Sequence, residues 1–229
     1  MKKGGEIIVL SVGGSLIVPG EIDSEWIKGF KAVIEKFISK GYKFIIITGG
    51  GRTARNYQNA AKQVSKLDSE DLDWLGIHST RINAHLMRTI FKDKAHSKII
   101  KDPNEKIDFN EKILIAAGWK PGCSTDYDAV LIAKNFKVKK LANLSNINYA
   151  YDKDPRTNKD AKIIKETSWK EFRKIVGDKW DPGLNSPFDP VASKEAEKLG
   201  MEVAILNGKN LSNFEKYLEN KDFIGTIIK

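Results

Sequence analysis

The stretch Phe44-Ile-Ile-Ile-Thr-Gly-Gly-Gly-Arg-Thr-Ala-Arg55 decides the architecture. An unbroken run of aromatic and β-branched residues reads as a strand buried on both faces, since a strand with one wet face would alternate. Three glycines end it, and a helical pattern starts at Arg52. Strand, glycine loop and helix in that order form half of a parallel crossover unit. The same order stands near the amino-terminal end, where residues 6–12 run into Gly13-Gly14-Ser15.

Outward from these two units, residues 113–116, 138–144 and 203–206 read as further buried strands. Residues 24–40, 52–66, 71–91, 126–136, 169–176 and 191–199 carry helical periodicity. The expected class is α/β, a three-layer α/β/α sandwich around a mainly parallel sheet. Punctuation agrees: Gly41 closes the first long helix, Ser168 with Glu171 and Ser212 with Glu215 match the capping box, and Asp189-Pro190 reads as cap and first turn. Without an internal repeat or a Pro/Gly-rich linker, residues 1–229 are expected to form one domain.

Composition narrows the function classes. With 41% hydrophobic and 30% charged residues the chain can bury a core, which excludes a disordered or fibrous protein. Cys123 is the only cysteine, so no internal disulfide forms and a reducing, cytoplasmic setting is expected. No window reaches the roughly 18 apolar residues of a membrane span. Thirty-nine Lys and Arg against 30 Asp and Glu leave +9, but the lysines alternate with glutamates along helices, as at Lys165-Glu166 and Lys194-Glu195. That is a solvated surface; with no zinc-finger spacing or RNA-binding aromatic signature, no nucleic-acid partner is expected.

The chemistry is expected at the strand ends. Glycine lets backbone N–H groups approach phosphate oxygens, and ligands of open α/β sheets collect beyond the carboxyl ends of strands. Two such loops suggest two phosphates, although neither completes a P-loop or a dinucleotide fingerprint. Arg52 and Arg55 lie one turn apart at a helix start, where cations oppose the helix dipole unless an anion faces them. A third turn-rich loop, Gly118-Trp-Lys-Pro-Gly-Cys-Ser-Thr-Asp126, leads into a helix with Thr125 or Asp126 near its cap. His78 and His85 share a helical face but lack a third ligand, so no resident metal is expected, and Cys123 lacks a histidine partner. The tryptophans read as packing or interface residues, Trp119 alone lying close to a glycine loop.

In this order the motifs resemble the amino-acid kinase family, and within it the archaeal-type uridylate kinases, along essentially the whole chain. The resemblance implies transfer of the γ-phosphoryl group of ATP, with Mg²⁺, to UMP. It places the donor phosphates at Gly13, Gly14 and Ser15, and the acceptor phosphate at Gly50, Gly51, Arg55, Ser124 and Thr125. Asp73, in Asp71-Leu-Asp-Trp-Leu-Gly-Ile-His-Ser-Thr-Arg-Ile-Asn-Ala84, falls on the uridine-side aspartate. Ser145, Asn146, Tyr151 and Asp154 fall in the ATP-binding stretch. Asp126 would organise the metal or a cationic group, and Ser15 joins Arg52 and Asp126 in the catalytic set. Ser11 stands where many members carry a lysine, so Arg52 is the candidate to supply that charge; Tyr149 replaces a glycine of the ATP stretch. The resemblance also implies a homo-hexamer. Other acceptors of the family (a small carboxylate, carbamate or isopentenyl phosphate) and a non-catalytic oxyanion-binding relative are the alternatives.

Overall fold

The computed structural model describes residues 6–179 and 186–229. Residues 1–5 and 180–185, Trp180 among them, lie outside the described residues. Five strands run parallel: β1 (Ile7–Val12), β2 (Lys43–Thr48), β3 (Ile113–Ala116), β4 (Lys140–Ser145) and β8 (Glu202–Asn207). The short β9 (Thr226–Ile228) pairs antiparallel with β8 and carries β7 (Glu166–Thr167) at its other edge. The sheet order is therefore β3-β2-β1-β4-β8-β9-β7. A separate antiparallel pair, β5 (Ala150–Tyr151) with β6 (Ile163–Ile164), projects from the chain between β4 and β7.

The pleat divides each central strand between two cores. Ile8, Leu10 and Val12, with Phe44 and Ile46, face α2 (Ser24–Ser39), α4 (Ser69–Ile90) and α8 (Leu211–Leu218). Val9, with Ile45 and Ile47, faces α5 (Thr125–Asn135), α6 (Trp169–Val176) and α7 (Pro190–Lys198). These are the three layers expected from sequence. In α2, Asp23 accepts the Trp26 N–H at 2.9 Å to start the helix, and Trp26, Ile27, Phe30, Val33, Ile34 and Phe37 form its buried stripe. Gly41, at φ +99°, ends it.

One expected cap is displaced. Ser212 lies inside α8, whose cap is Asn210, with its side chain accepting the Asn213 N–H at 3.0 Å. Two elements next to the strand ends differ: α1 (Gly14–Ile17) is a single turn whose Leu16 and Ile17 are buried in the core, whereas α3 (Gly51–Val64) lies against α4 without one buried side chain. At the carboxyl ends of the parallel strands the apolar runs give way to buried Ser11, Thr48 and Asn143. Buried polar groups need partners, and theirs define the site.

Candidate active site

The two glycine loops meet backbone to backbone. A methyl group on Gly14 would lie 2.1 Å from the Gly51 nitrogen and 2.6 Å from the Gly49 carbonyl carbon. Gly51, at φ +65°, would in turn place one 2.3 Å from the Gly14 oxygen. Only glycine permits this approach. The frame around the junction is fully bonded: Gly13 N–H donates to Leu144 O at 2.8 Å, Gly49 N–H to Val12 O at 2.9 Å and Arg52 N–H to Val18 O at 2.9 Å. Among the described residues the N–H groups of Gly14, Ser15, Gly50 and Gly51 find no protein acceptor. Donors left over at a glycine junction suit anionic oxygen.

Helix α4 holds the second loop from below. Buried Asn83 donates from Nδ2 to Gly49 O at 2.8 Å and Gly50 O at 3.3 Å, and Thr48 Oγ1 donates to Thr80 O at 3.0 Å. Gly50 abuts Gly76 of the same helix, one turn beyond Asp73. The Asp73 carboxylate accepts the Gly122 N–H at 2.8 Å, which ties it to the Lys120-Pro121-Gly122-Cys123 turn. That turn closes through Cys123 N–H to Lys120 O, with Gly122 at φ +78°. Its stem is held on three sides: Gly118 N–H donates to Thr80 Oγ1, Trp119 N–H to Asp128 Oδ2, and Arg81 Nη2 donates to Trp119 O.

Asp126 comes to the same rim from α5. It is not the cap; Ser124 is, accepting the Tyr127 N–H at 3.1 Å. Ser11 Oγ donates to Asp126 Oδ1 at 2.9 Å and Asn143 Nδ2 to the same oxygen at 3.2 Å. Ser11 and Asn143 are register partners on adjacent strands, so β1 and β4 clasp the carboxylate between them. Burial pushes Asp126 up to about 6 against the Ser11 bond, with Asp189 adding repulsion. Asp128 is fully buried, with Oδ1 unpartnered, and burial moves it to about 7. Asp189, the α7 cap bonded to Ala192 N–H at 2.7 Å, is also raised by burial.

These shifts carry a stability signature. An unfolded aspartate loses its proton near about pH 3.9, whereas folded Asp128 keeps its own to about 7. Between those values the native state binds the extra proton, so stability falls as pH rises. Asp128→Asn removes the penalty while keeping an acceptor for Trp119. It is expected to raise the thermal midpoint by an amount that grows from pH 4 to about pH 7 and then levels off. A difference independent of pH in a thermal-melt series would contradict this.

The other sequence candidates divide. Arg52 and Arg55 are exposed in the first turns of α3, and neither pairs with a carboxylate among the described residues. Ser145 lies beside Gly13 at the end of β4 and accepts Gly208 N–H on its carbonyl. Thr125 opens α5 half-buried, and Asn146 is exposed just past β4. Tyr151 sits in β5, and Asp154 in the adjoining turn, where Arg156 holds its carboxyl below the usual range. Among the described residues no hydrogen bond or ion pair ties either to the glycine junction. His78 and His85 are exposed on α4, and burial pushes the Cys123 thiol up to about 11. Trp26 and Trp169 are core residues, while Trp119 is half-buried with the Lys120 ammonium 4.0 Å from its ring centroid. Asn83, Arg81 and Asp128 were not singled out from sequence. Asp128 had one visible sign: it lies four residues before Ile132 on the buried stripe of α5.

Comparison with known proteins points the same way. The model of the amino acid kinase family matches residues 6–207. A uridylate kinase of Sulfurisphaera tokodaii is 31% identical over 97% of this chain and 98% of its own length. One from Pyrococcus abyssi is 32% identical over 89% and 91%. The crystal structure of a uridylate kinase from Archaeoglobus fulgidus superposes with a TM-score of 0.81 at 28% identity, covering 97% of this chain and 99% of that one. With the match running through both glycine loops, the α5 aspartate and the last long strand, the chain belongs to the amino acid kinase family.

Proposed function

We propose that this protein transfers the γ-phosphoryl group of ATP to UMP, giving ADP and UDP. The observation that carries the reading is the junction of Gly14 with Gly51, where two sets of unsatisfied N–H groups stand side by side. The near full-length relatives named uridylate kinase support UMP as acceptor. The attacking UMP oxygen is already ionised near neutral pH, so the site needs no base to take a proton from it. What it must supply is alignment of two mutually repelling phosphates and compensation of charge on the group in flight.

Gly13, Gly14 and Ser15 take the donor phosphates in this reading; Gly50, Gly51, Arg55, Ser124 and Thr125 take the acceptor phosphate. Asp73 meets the acceptor's nucleoside, and Ser145, Asn146, Tyr151 and Asp154 line the ATP side. Among the described residues no three His, Cys, Asp or Glu side chains converge to hold a metal. Asp126, held at the strand-end rim by Ser11 and Asn143, is the carboxylate that would help ATP oxygens hold Mg²⁺. When bound, Mg²⁺ supplies positive charge to the β- and γ-phosphates. Asp126, lacking a cationic partner and repelled by Asp189, is the kind of carboxylate that nearby positive charge would ionise.

Arg55→Ala is expected to raise KM for UMP at least about tenfold, a loss of about 1.4 kcal/mol, with KM for ATP unchanged. An unaltered UMP value in steady-state kinetics would discard the clamp. The whole reading is tested by phosphoryl transfer from ATP and Mg²⁺ to UMP, CMP, dTMP, glutamate derivatives and isopentenyl phosphate. UMP should give the highest kcat/KM; no ADP release with any acceptor would overturn it.

Exposed Tyr57, Val64, Trp74 and Ile82 put apolar area on α3 and α4, which suits association of copies and the hexamer of the resemblance. No helix among the described residues is long and apolar enough to cross a membrane. The single cysteine and the proposed nucleotide substrates support a cytoplasmic setting.

A further inference from the structure

Opposite the glycine loops, the amino-terminal ends of β1 and β2 open onto a cavity of about 510 Å³. That volume is in the range of small-molecule sites. Lys43, Lys106 and Lys137 line it together with Asp108, and Phe109 and Phe136 form an apolar wall, edge to face at 5.7 Å. Lys43 is fixed in place: its Nζ donates to Phe109 O at 3.2 Å and lies 4.8 Å from the Phe109 ring centroid. Neighbouring Lys134 and Lys140 have carboxylate partners in Glu195 and Glu6. Among the described residues the three cavity lysines have none, so three cations and one carboxylate leave the pocket with a positive excess.

Lys137 gives an independent sign. It follows the α5 cap residue Phe136 in the left-handed conformation, φ 57°, with Val138 N–H returning to Ala133 O at 2.8 Å. After α2 and α7 the same conformation is taken by Gly41 and Gly200, and after α8 by Asn220. Glycine relieves the clash between Cβ and backbone that this geometry imposes, and asparagine tolerates it better than most. Lysine does neither. Its presence is explained by the ammonium it brings to the cavity, in line with strain retained where a side chain is needed.

We propose that this cavity is a second binding site, for a small organic anion with a flat apolar body. Its sulfonate, carboxylate or phosphate lies among the three ammonium groups and its ring against Phe109 and Phe136. Asp108 favours a ligand that also offers an N–H or O–H. The site is distinct from the glycine junction: α5, about 16 Å long at 1.5 Å per residue, separates Asp126 at its first turn from the cavity at its last.

The test uses the full chain and the dye 8-anilinonaphthalene-1-sulfonate, an aromatic sulfonate carrying an N–H, followed by fluorescence. Saturable binding is expected, undisturbed by saturating ATP and UMP. Lys137→Gly should weaken the dye Kd at least about fivefold while the thermal midpoint stays level or rises, because glycine relaxes the turn. Lys106→Glu should weaken it similarly, which separates charge from backbone effects. Unchanged affinity in either variant, displacement of the dye by the substrates, or a lower midpoint for Lys137→Gly would each overturn the proposal.

Discussion

Arg52→Ala is expected to lower kcat by about 10³- to 10⁵-fold, about 4 to 7 kcal/mol of transition-state stabilisation. The argument starts from Ser11. Its hydroxyl donates to Asp126 Oδ1 at 2.9 Å, and with Val9, Leu10, Val12 and Gly13 around it the end of β1 brings no cation to the junction. Arg52 follows directly on Gly51, whose backbone touches Gly14, and its own N–H is anchored to Val18 O. It is exposed, without a carboxylate partner among the described residues and set against the dipole of α3, a poor place for a cation unless an anion arrives. Kinetics at saturating ATP and UMP decide the matter. Turnover within about tenfold of the parent would remove Arg52 from the chemistry.

Gly14→Ala is expected to be nearly as damaging by a different route. The added carbon would sit 2.1 Å from Gly51 N, 2.6 Å from Gly49 C and 2.7 Å from Gly49 O, all backbone atoms that no rotamer change can clear. The loops must separate, and a misplacement of about 1 Å between reacting groups can cost about 10²-fold in rate. Overpacking of this kind also costs about 1 to 3 kcal/mol of stability. A fall in kcat of at least about 10²-fold is expected, with a thermal midpoint several degrees lower. A variant with parental rate and melting point would show that the abutment is not needed. Gly20, with open space around it, serves as the control, and its alanine variant should behave as the parent.

What was legible in the sequence follows from length and periodicity. The five parallel strands and helices α2 to α7 announce themselves through buried β-branched runs and amphipathic stripes, whereas α8, as long as α6, showed in the sequence only as a capping pattern. β5, β6 and β7 have two residues each and β9 three, too few for any period, so the antiparallel edge was invisible beforehand. α1 was hidden for the same reason. The glycine loops were readable as punctuation, yet their mutual contact depends on the adjacency of β1 and β2, a property of the sheet.

Polar side chains were harder to place. The bond from Ser11 to Asp126 spans 115 positions, and nothing local to either residue marks it. Arg81 and Asn83 lie in an amphipathic helix where polar residues are expected to face water. Instead, Asn83 points under the second glycine loop and Arg81 grips the Trp119 carbonyl. Ser212 misled because its capping pattern is sound, but the helix starts earlier, with Asn210 Oδ1 accepting both the Asn213 N–H and the Ser212 hydroxyl.

The absence of any buried side chain in α3 has a thermodynamic consequence. A helix of 14 residues is marginal when isolated, and beyond the backbone junction at its start this one rests on α4 through half-exposed side chains. Its free energy of local opening must therefore lie well below that of the sheet. If Arg52 and Arg55 hold the acceptor as proposed, its binding would also have to order this helix. On that proposal part of the intrinsic affinity would be spent on ordering, and an acceptor phosphate would supply the cap that no side chain gives α3.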